Sequence, residues 1–396
     1  MKVICDVVVC KAVGLALLVL SKILNIWPLG ILNLRARRSG ITYFRNNIMP
    51  KEFDWKRSYG KMSRSFKKYG FKVPQLYSDC YSQWNGIVHD RYLSTDLYYN
   101  YILPCLNRYD FIVALLDKGF YGRLFSDFRQ PKTVACCRNG IYYTAGEKVT
   151  SLDEVAKLIA GRPDLKMIVK PMVASSCGHG IGVLESGSEE RIKEALSGYG
   201  TSYIIQERLS QHPEMARLNP TSLNTLRVFT YRSLDKTVHF VEDSSIVRFG
   251  SAGTFIDNAL AGGGFCAVDK NGNVDDVIFQ DRTSRRQSLR DSKGIVNFKI
   301  PGFEKVKTFV RQLHDRLPYF DWIGWDIAIN ADGDPTFIEF NISFGCEAPQ
   351  TTHGDIFGPY FDEIIQRVQK VKHTVQIAER QDWGAGFRRL EGVVTW

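Results

Sequence analysis

Asp326 and Glu339 flank an Asp332-Gly333 dipeptide, and Asp-Gly between two apolar runs favours a two-residue hairpin turn. Folding the chain there makes the two acids cross-strand neighbours, with Cβ atoms about 5 Å apart. Asn341 stands two residues beyond Glu339 and projects from the same face. Trp325, Ile327, Ile329, Ile338 and Phe340 collect on the other face, so burial fixes the register. Adjacent carboxylates repel, and without a cation one must take up a proton or weaken the sheet. Two carboxylates and an amide oxygen are hard ligands suited to Mg2+ or Mn2+, with waters and phosphate oxygens filling the shell. The polar side of an edge hairpin would show the same alternation.

A second group could hold phosphate. Lys170 ends the apolar run Ile168-Val169-Lys170-Pro171 and precedes Ser175-Ser176-Cys177-Gly178-His179-Gly180-Ile181-Gly182. A lysine at a strand end reaches a phosphate as a point charge, and a Gly/Ser loop supplies backbone N–H groups with little bulk. The spacing matches neither the P-loop, since no Gly-Lys-Ser/Thr follows, nor the Rossmann fingerprint, which needs a helix directly after the loop. A β-hairpin loop without a ligand would read the same way. Arg227, Arg248 and His179, each taken alone, read as ordinary surface or loop residues.

The elements that must position these residues follow from period and punctuation. Residues 39–129 read as an aromatic-rich helical lobe. Past Gln130-Pro131, strands are expected at Thr133 to Cys137, Ile141 to Thr144, Met167 to Lys170 and Tyr203 to Glu207, with capped helices at Ser151 to Ala160 and Ser188 to Leu196. These make a compact α+β lobe over residues 130–210. Residues 211–396 carry strands at Thr225 to Tyr231, Val238 to Val241, Ser245 to Phe249, Ile323 to Asn330 and Pro335 to Asn341, and a helix at Phe303 to Leu317. The arginine-rich stretch Asp281 to Lys293 reads as a solvated loop.

A chain of 396 residues with 44% hydrophobic content is long enough for two or three folded units. Its net charge of +10 favours acidic partners without choosing among them. Nine cysteines without a CxxC pair argue against a zinc site or disulfide framework and fit a reducing compartment. The apolar segment Val7 to Leu32 is broken by Lys11 and Lys22, and the uninterrupted run between them is shorter than the roughly 20 residues a spanning helix needs. With Arg35, Arg37 and Arg38 after it, residues 1–38 read either as an interfacial helix on a membrane or as a helix packed on protein.

A Lys-Pro strand, a Ser/Gly loop, a Gln-Glu strand and a late Asp…Glu-x-Asn hairpin occur here in one order. That order resembles the ATP-grasp superfamily, which includes D-alanine:D-alanine ligase, glutathione synthetase and biotin carboxylase. IVKPMVASSCGHGIGV, LNPTSLNTLRVFT and WDIAINADGDPTFIEFNISFG resemble most closely the sugar-transfer-associated ATP-grasp group, over roughly Asp117 to His353.

The resemblance implies an α+β, ATP-grasp fold, two α/β lobes clasping ATP, with an N-terminal helical lobe in front. It implies Lys118 and Lys170 directed at ATP phosphates and a lid loop containing Ser175, Ser176, Gly178 and Gly180. Adenine would be read along Gln206, Glu207 and Leu209, and ribose by a carboxylate such as Glu214. Asp326, Glu339 and Asn341 match the Mg2+ (or Mn2+) ligands, and Arg227 and Arg248 the arginines that steady the transferred phosphoryl group. Asn258, Gly262, Gly263 and Gly264 resemble the loop lining the acceptor side. Two departures stand out. The region before Gln130 is helical where many members carry an α/β domain, and Gly324 stands where some ligases place an arginine.

The expected activity is that of a cytoplasmic ATP-dependent carboxylate-amine ligase working through an acyl phosphate. Its partners would be a small-molecule carboxylate and an amine or sugar-containing acceptor in surface polysaccharide assembly, with no nucleic acid, and residues 1–38 could touch the inner face of the membrane. A phosphotransferase on the same fold and a nucleotide-binding protein without turnover are the rivals. The sequence leaves the oligomeric state open.

Overall fold

The computed structural model of the protein describes residues 28–59, 64–111, 115–172, 180–251, 253, 263–280 and 287–371. The aromatic-rich N-terminal region is helical in short pieces. Helix α1 (Pro28–Asn47) and α2 (Gln75–Asn85) are its longest members. Gly86 stops α2 in the left-handed conformation, φ 77°, and donates its N–H to the Ser82 carbonyl, a termination glycine makes at no steric cost. The position 38 boundary drawn from the arginines falls inside α1. Phe44, Tyr77, Tyr81, Tyr98, Trp322, Phe344 and Phe361 share one core, so these helices are built onto the C-terminal sheet. Asn107 joins them: its buried amide donates to the Trp322 and Ile342 carbonyls (2.9 and 3.0 Å) and accepts from Trp322 N at 3.1 Å.

The first sheet contains β1 (Thr133–Arg138), β2 (Ile141–Thr144), β3 (Val149–Thr150), β4 (Met167–Pro171), β5 (Gly182–Leu184) and β6 (Tyr203–Glu207). Its order is β3-β2-β1-β6-β4-β5, antiparallel throughout. Helices α3 (Leu152–Ala160) and α4 (Glu189–Ser197) close one face around Val134, Val155, Ile159, Val169, Ile192 and Ile205. The Ser151 side chain and Glu154 form the reciprocal capping box expected of their spacing, and Ser188 caps α4.

The second sheet contains β7 (Thr225–Arg232), β8 (Val238–Phe240), β9 (Ser245–Phe249) and β10 (Gly264–Val268). A two-stranded ribbon, β11 (Val277–Ile278) and β12 (Gln287–Ser288), follows, and then β13 (Trp322–Ile329) and β14 (Pro335–Asn341). The order is β10-β9-β7-β13-β14, with β8 on β7. Helix α5 (Phe303–Asp315) covers one face through Phe303, Val306, Val310 and Leu313. Helices α6 (Glu347–His353) and α7 (Phe361–Val371), with β10, complete the lobe; none of the three stood out in the sequence.

The β13–β14 hairpin corrects one expectation and keeps its consequence. Its turn is longer than two residues: Asn330 N donates to Asp334 O (3.0 Å), Gly333 N to Asn330 O (3.0 Å), and Gly333 sits at φ 80°. That geometry alone would set Asp326 opposite Ile338. A bulge between Asp326 and Ile327 takes up the extra residue, so Asp326 pairs with Glu339 while Ile327 pairs with Phe337. Phe337 therefore fills the core at 0% exposure, and Ile338, expected there, is only partly buried.

Candidate active site

β7 lies beside β13 with Arg227 opposite Asp326, and β9 lies beside β7 with Arg248 opposite Thr225. The two arginines consequently converge on one carboxylate. Arg227 donates through Nε to Asp326 Oδ1 and through Nη2 to Oδ2 at 3.1 Å. Arg248 Nη2 stands 3.0 Å from Asp326 Oδ2 and 2.9 Å from Thr225 Oγ1. Asp326 is 3% exposed. Burial pushes its carboxyl up, but the two guanidinium groups outweigh that and hold it well below the usual carboxylate range. Phe344 supports the arrangement, with the Arg227 guanidinium 5.9 Å from its ring centre.

Glu339 has a different partner. The Asp117 side chain accepts from Gly119 N at 2.8 Å and turns the chain, Lys118 N donates to Met172 O at 3.0 Å, and Lys118 Nζ lies 3.1 Å from Glu339 Oε2. Lys170, on β4 beside the edge strand β5, is buried at 5% exposure next to them. Its ammonium is pushed down to about 8 by burial and by repulsion from Lys118, partly offset by Glu339. The expectation that the acid pair must find a cation or take up a proton is thus met by the protein's own side chains. Four cations, Lys118, Lys170, Arg227 and Arg248, face two carboxylates, and the surplus of positive charge suits a polyanion such as a triphosphate.

Asn341 ends β14, in register with Gly324, and its Nδ2 is buried without a hydrogen-bond partner. Because an amide can be turned over, its oxygen can be presented beside the carboxylates. Among the described residues no group of three or more His, Cys, Asp and Glu side chains gathers for a metal. Two carboxylates and one amide, completed by phosphate oxygens and water, fit Mg2+ better than a softer ion.

The other expected residues are more scattered. Gln206 is buried on β6, where Nε2 donates to Pro131 O at 3.3 Å while Oε1 has no partner. The backbone of β6 is engaged on both sides, and bonds continue through Glu207 N to Lys132 O (2.9 Å) and Arg208 N to Lys166 O (2.7 Å). Leu209 lies just past this ladder. Glu214 is exposed on a short helix and pairs with Arg217 at 2.7 Å; no described contact links it to the cation cluster. Gly180 packs on Pro171 at φ 75°, and Gly263 is buried beside β10. Gly264 begins β10, where a Cβ would meet Ile278 and Phe249 within 2.9 Å. Ser175, Ser176, Gly178, His179, Asn258 and Gly262 lie outside the described residues, as do residues 1–27 and 281–286.

At Gly324 a Cβ would already meet the Phe344 ring at 3.2 Å, which leaves no room for an arginine unless Phe344 moves. Thr225 and Phe344, which hold the two arginines, did not stand out in the sequence, because a threonine and a phenylalanine carry no chemical signature until β7 is known to lie between β9 and β13.

A family model described as sugar-transfer associated ATP-grasp matches residues 96–364. The chain belongs to the sugar-transfer associated ATP-grasp family. The match begins before Asp117 and so takes in part of the helical region. No curated protein matches the sequence. Among solved structures, this family member is similar to the ATP-grasp ligase PsnB complexed with minimal precursor, Mg and ADP, at 15% identity and TM-score 0.38 over 65% of this chain and 60% of that one. It is also similar to the D-cycloserine synthetase DcsG, at 10% identity and TM-score 0.41 over 68% and 73% of the two chains. The VanG D-Ala:D-Ser ligase from Enterococcus faecalis gives 12% identity and TM-score 0.38 over 65% and 61%. The chain thus spans about three fifths of the length of PsnB.

Proposed function

We propose that the protein is an ATP-dependent ligase that joins a carboxylate to an amine through an acyl phosphate. The observation that carries this reading is the four-cation, two-carboxylate cluster between the two sheets, in a chain of the ATP-grasp family. Mg2+ held by Asp326, Glu339 and Asn341 would supply charge neutralisation at the phosphates. Lys118 and Lys170 bind the ATP phosphates, and the base is read at the backbone around Leu209, just past the β6 ladder. Arg227 and Arg248 stabilise the charge on the phosphoryl group as the substrate carboxylate oxygen bonds to γ-phosphorus and ADP leaves. The amine nitrogen then attacks the acyl carbon, releasing phosphate and a proton.

The substrates proposed are an amino acid or similar carboxylate and a sugar-containing acceptor of surface polysaccharide assembly, in keeping with the family's description. Hydroxylamine, a small amine, tests the chemistry by intercepting the acyl phosphate. With Mg·ATP, hydroxylamine and a panel of amino acids, a hydroxamate should form in proportion to ADP, and Arg248→Ala should depress both. ADP formation with the phosphoryl group retained on an acceptor hydroxyl, and neither hydroxamate nor free phosphate, would establish a phosphotransferase instead.

The reading extends to location. Among the described residues no helix is long and apolar enough to cross a membrane. The apolar N-terminal sequence and the arginines at 35, 37 and 38 favour contact with an anionic membrane surface. Trp55 adds to this: it is 62% exposed and carries the Arg45 guanidinium 5.3 Å from its ring centre, a pairing suited to the headgroup layer. Flotation with anionic liposomes should be lost when residues 1–38 are removed; equal flotation of both forms, or of neither, contradicts it.

A further inference from the structure

Lys118 sits on a segment with two attachments. Its aromatic side, Tyr121 and Phe125, is buried against Phe337 and Phe340 of the second sheet. Its polar side is held by the first sheet, where Lys118 N bonds Met172 O and a Cβ at Gly119 would fall 1.9 Å from Met172 Cε. The position of the Lys118 ammonium therefore depends on how firmly this segment is gripped at Gly119.

Arg138, the last residue of β1, supplies that grip. Its Nη2 donates to the Gly119 carbonyl at 2.9 Å, and its guanidinium lies between the rings of Phe120 (5.6 Å) and Tyr143 (4.8 Å). Glu147 takes the other side of the fork, Nη2 to Oε1 at 2.7 Å and Nη1 to Oε2, and also accepts from Arg123 at 2.7 Å. Arg123 belongs to the helical turn directly after the Lys118 segment, so Glu147 is tied to that segment twice.

The backbone at Glu147 is informative in its own right. It stands at φ 60° in the turn between β2 and β3, where a glycine would be free of strain and a glutamate persists only if its surroundings hold it. Gly146 is next to it, yet the left-handed position carries the glutamate. Its carboxylate is the feature that compensates, because it orients both nitrogens of the Arg138 fork.

We propose that Arg138 and Glu147 are positioning residues that fix Lys118 at its place beside Glu339, so that the β1–β3 turns of the first sheet set the affinity for phosphate. The inference rests on the reading of Lys118 as a phosphate lysine. Neither residue touches the proposed ligand; both act through the Gly119 carbonyl and the Lys118 backbone.

A double-mutant cycle on the full chain tests this, with Mg·ATP and adenosine as the two probes in calorimetric titrations. Arg138→Gln should weaken Mg·ATP about tenfold while leaving adenosine within about twofold, since only the triphosphate feels Lys118. In a Lys118→Ala background the same substitution should cost nothing further. Glu147→Gln, which keeps the turn and one acceptor oxygen, should reproduce a smaller, equally phosphate-selective loss. Equal losses for Mg·ATP and adenosine, an undiminished loss in the Lys118→Ala background, or no loss in either single variant overturns the proposal while the ligase reading stands. No binding of Mg·ATP by the unaltered protein overturns both.

Discussion

Arg227 and Asp326 face each other on adjacent strands, and the arginine clasps the carboxylate with two nitrogens while Glu339, across the hairpin from Asp326, is held by Lys118. The acid pair is thus divided between two separate sets of cations. Asp326→Asn and Glu339→Gln should both abolish Mg2+-dependent ATP consumption, and both should cost stability. Removing the Asp326 charge takes the counter-charge from two partly buried arginines, and removing that of Glu339 takes it from the buried Lys118 and Lys170, so each should cost about 3 kcal/mol. Phosphate release and urea denaturation on both variants check this. Wild-type turnover in either would remove that residue from the metal set.

The hairpin also illustrates what could be read in advance. Alternation and the Asp-Gly dipeptide placed Asp326 opposite Glu339, although the turn is a longer one and a bulge restores the pairing. The apolar face constrained the answer more strongly than turn geometry did, since a one-residue slip would carry Trp325 out of its core cluster onto the Asp326 face. The capped helices α3 and α4 were equally legible, because Ser151 with Glu154, and Ser188, act within one turn of chain. The convergence of Arg227 and Arg248 on Asp326 is different in kind. Residues 227 and 326 are distant in sequence, and only the strand order brings them together. The grip of Arg138 on Gly119 is tertiary in the same sense. β10 escaped notice as a short apolar run behind three glycines, and α6 because Pro349 and paired threonines weaken its helical signal.

Lys170 should trade stability for binding. Burial and the neighbouring Lys118 hold its ammonium near 8, below the ordinary lysine value of 10.5, so at pH 7 the charged form disfavours the folded state. Lys170→Met removes that cost and should raise the melting temperature at pH 7 by several degrees in the absence of nucleotide. The sign follows from linkage: the unfolded lysine binds its proton more tightly, so the cost is full below pH 8 and fades as pH rises toward 10.5. The advantage of the variant should shrink over that interval. Binding of Mg·ATP should fall at least tenfold in the same variant. A lower melting temperature with unchanged nucleotide affinity would contradict the role given to this side chain.

His314 makes a pH prediction far from the site. It is fully buried on α5, with Nε2 2.8 Å from the Phe320 carbonyl and Nδ1 2.6 Å from Thr230 Oγ1. A carbonyl oxygen can only accept, so Nε2 carries the hydrogen and Nδ1 accepts from Thr230. The Thr230 oxygen in turn accepts from Trp325 Nε1 at 2.7 Å, which leaves its own hydrogen directed at the imidazole. Protonation at Nδ1 would put two hydrogens between that nitrogen and Thr230, and among the described residues no carboxylate stabilises the charged ring. Burial, followed by the nearby Arg232, accordingly pushes His314 down to about 3 from 6.5. The unfolded state takes up a proton near pH 6.5 that the folded state refuses, so this group's contribution is full above pH 6.5 and is lost as pH falls toward 3. Between pH 6.5 and 5 the loss should reach about 2 kcal/mol. His314→Gln should be less stable than wild type at pH 7.5, because Thr230 loses its ring acceptor, yet decline less steeply on acidification. Urea midpoints for both proteins at half-unit intervals from pH 7.5 to 5 should therefore converge; parallel curves would mean that His314 is protonated in the folded protein.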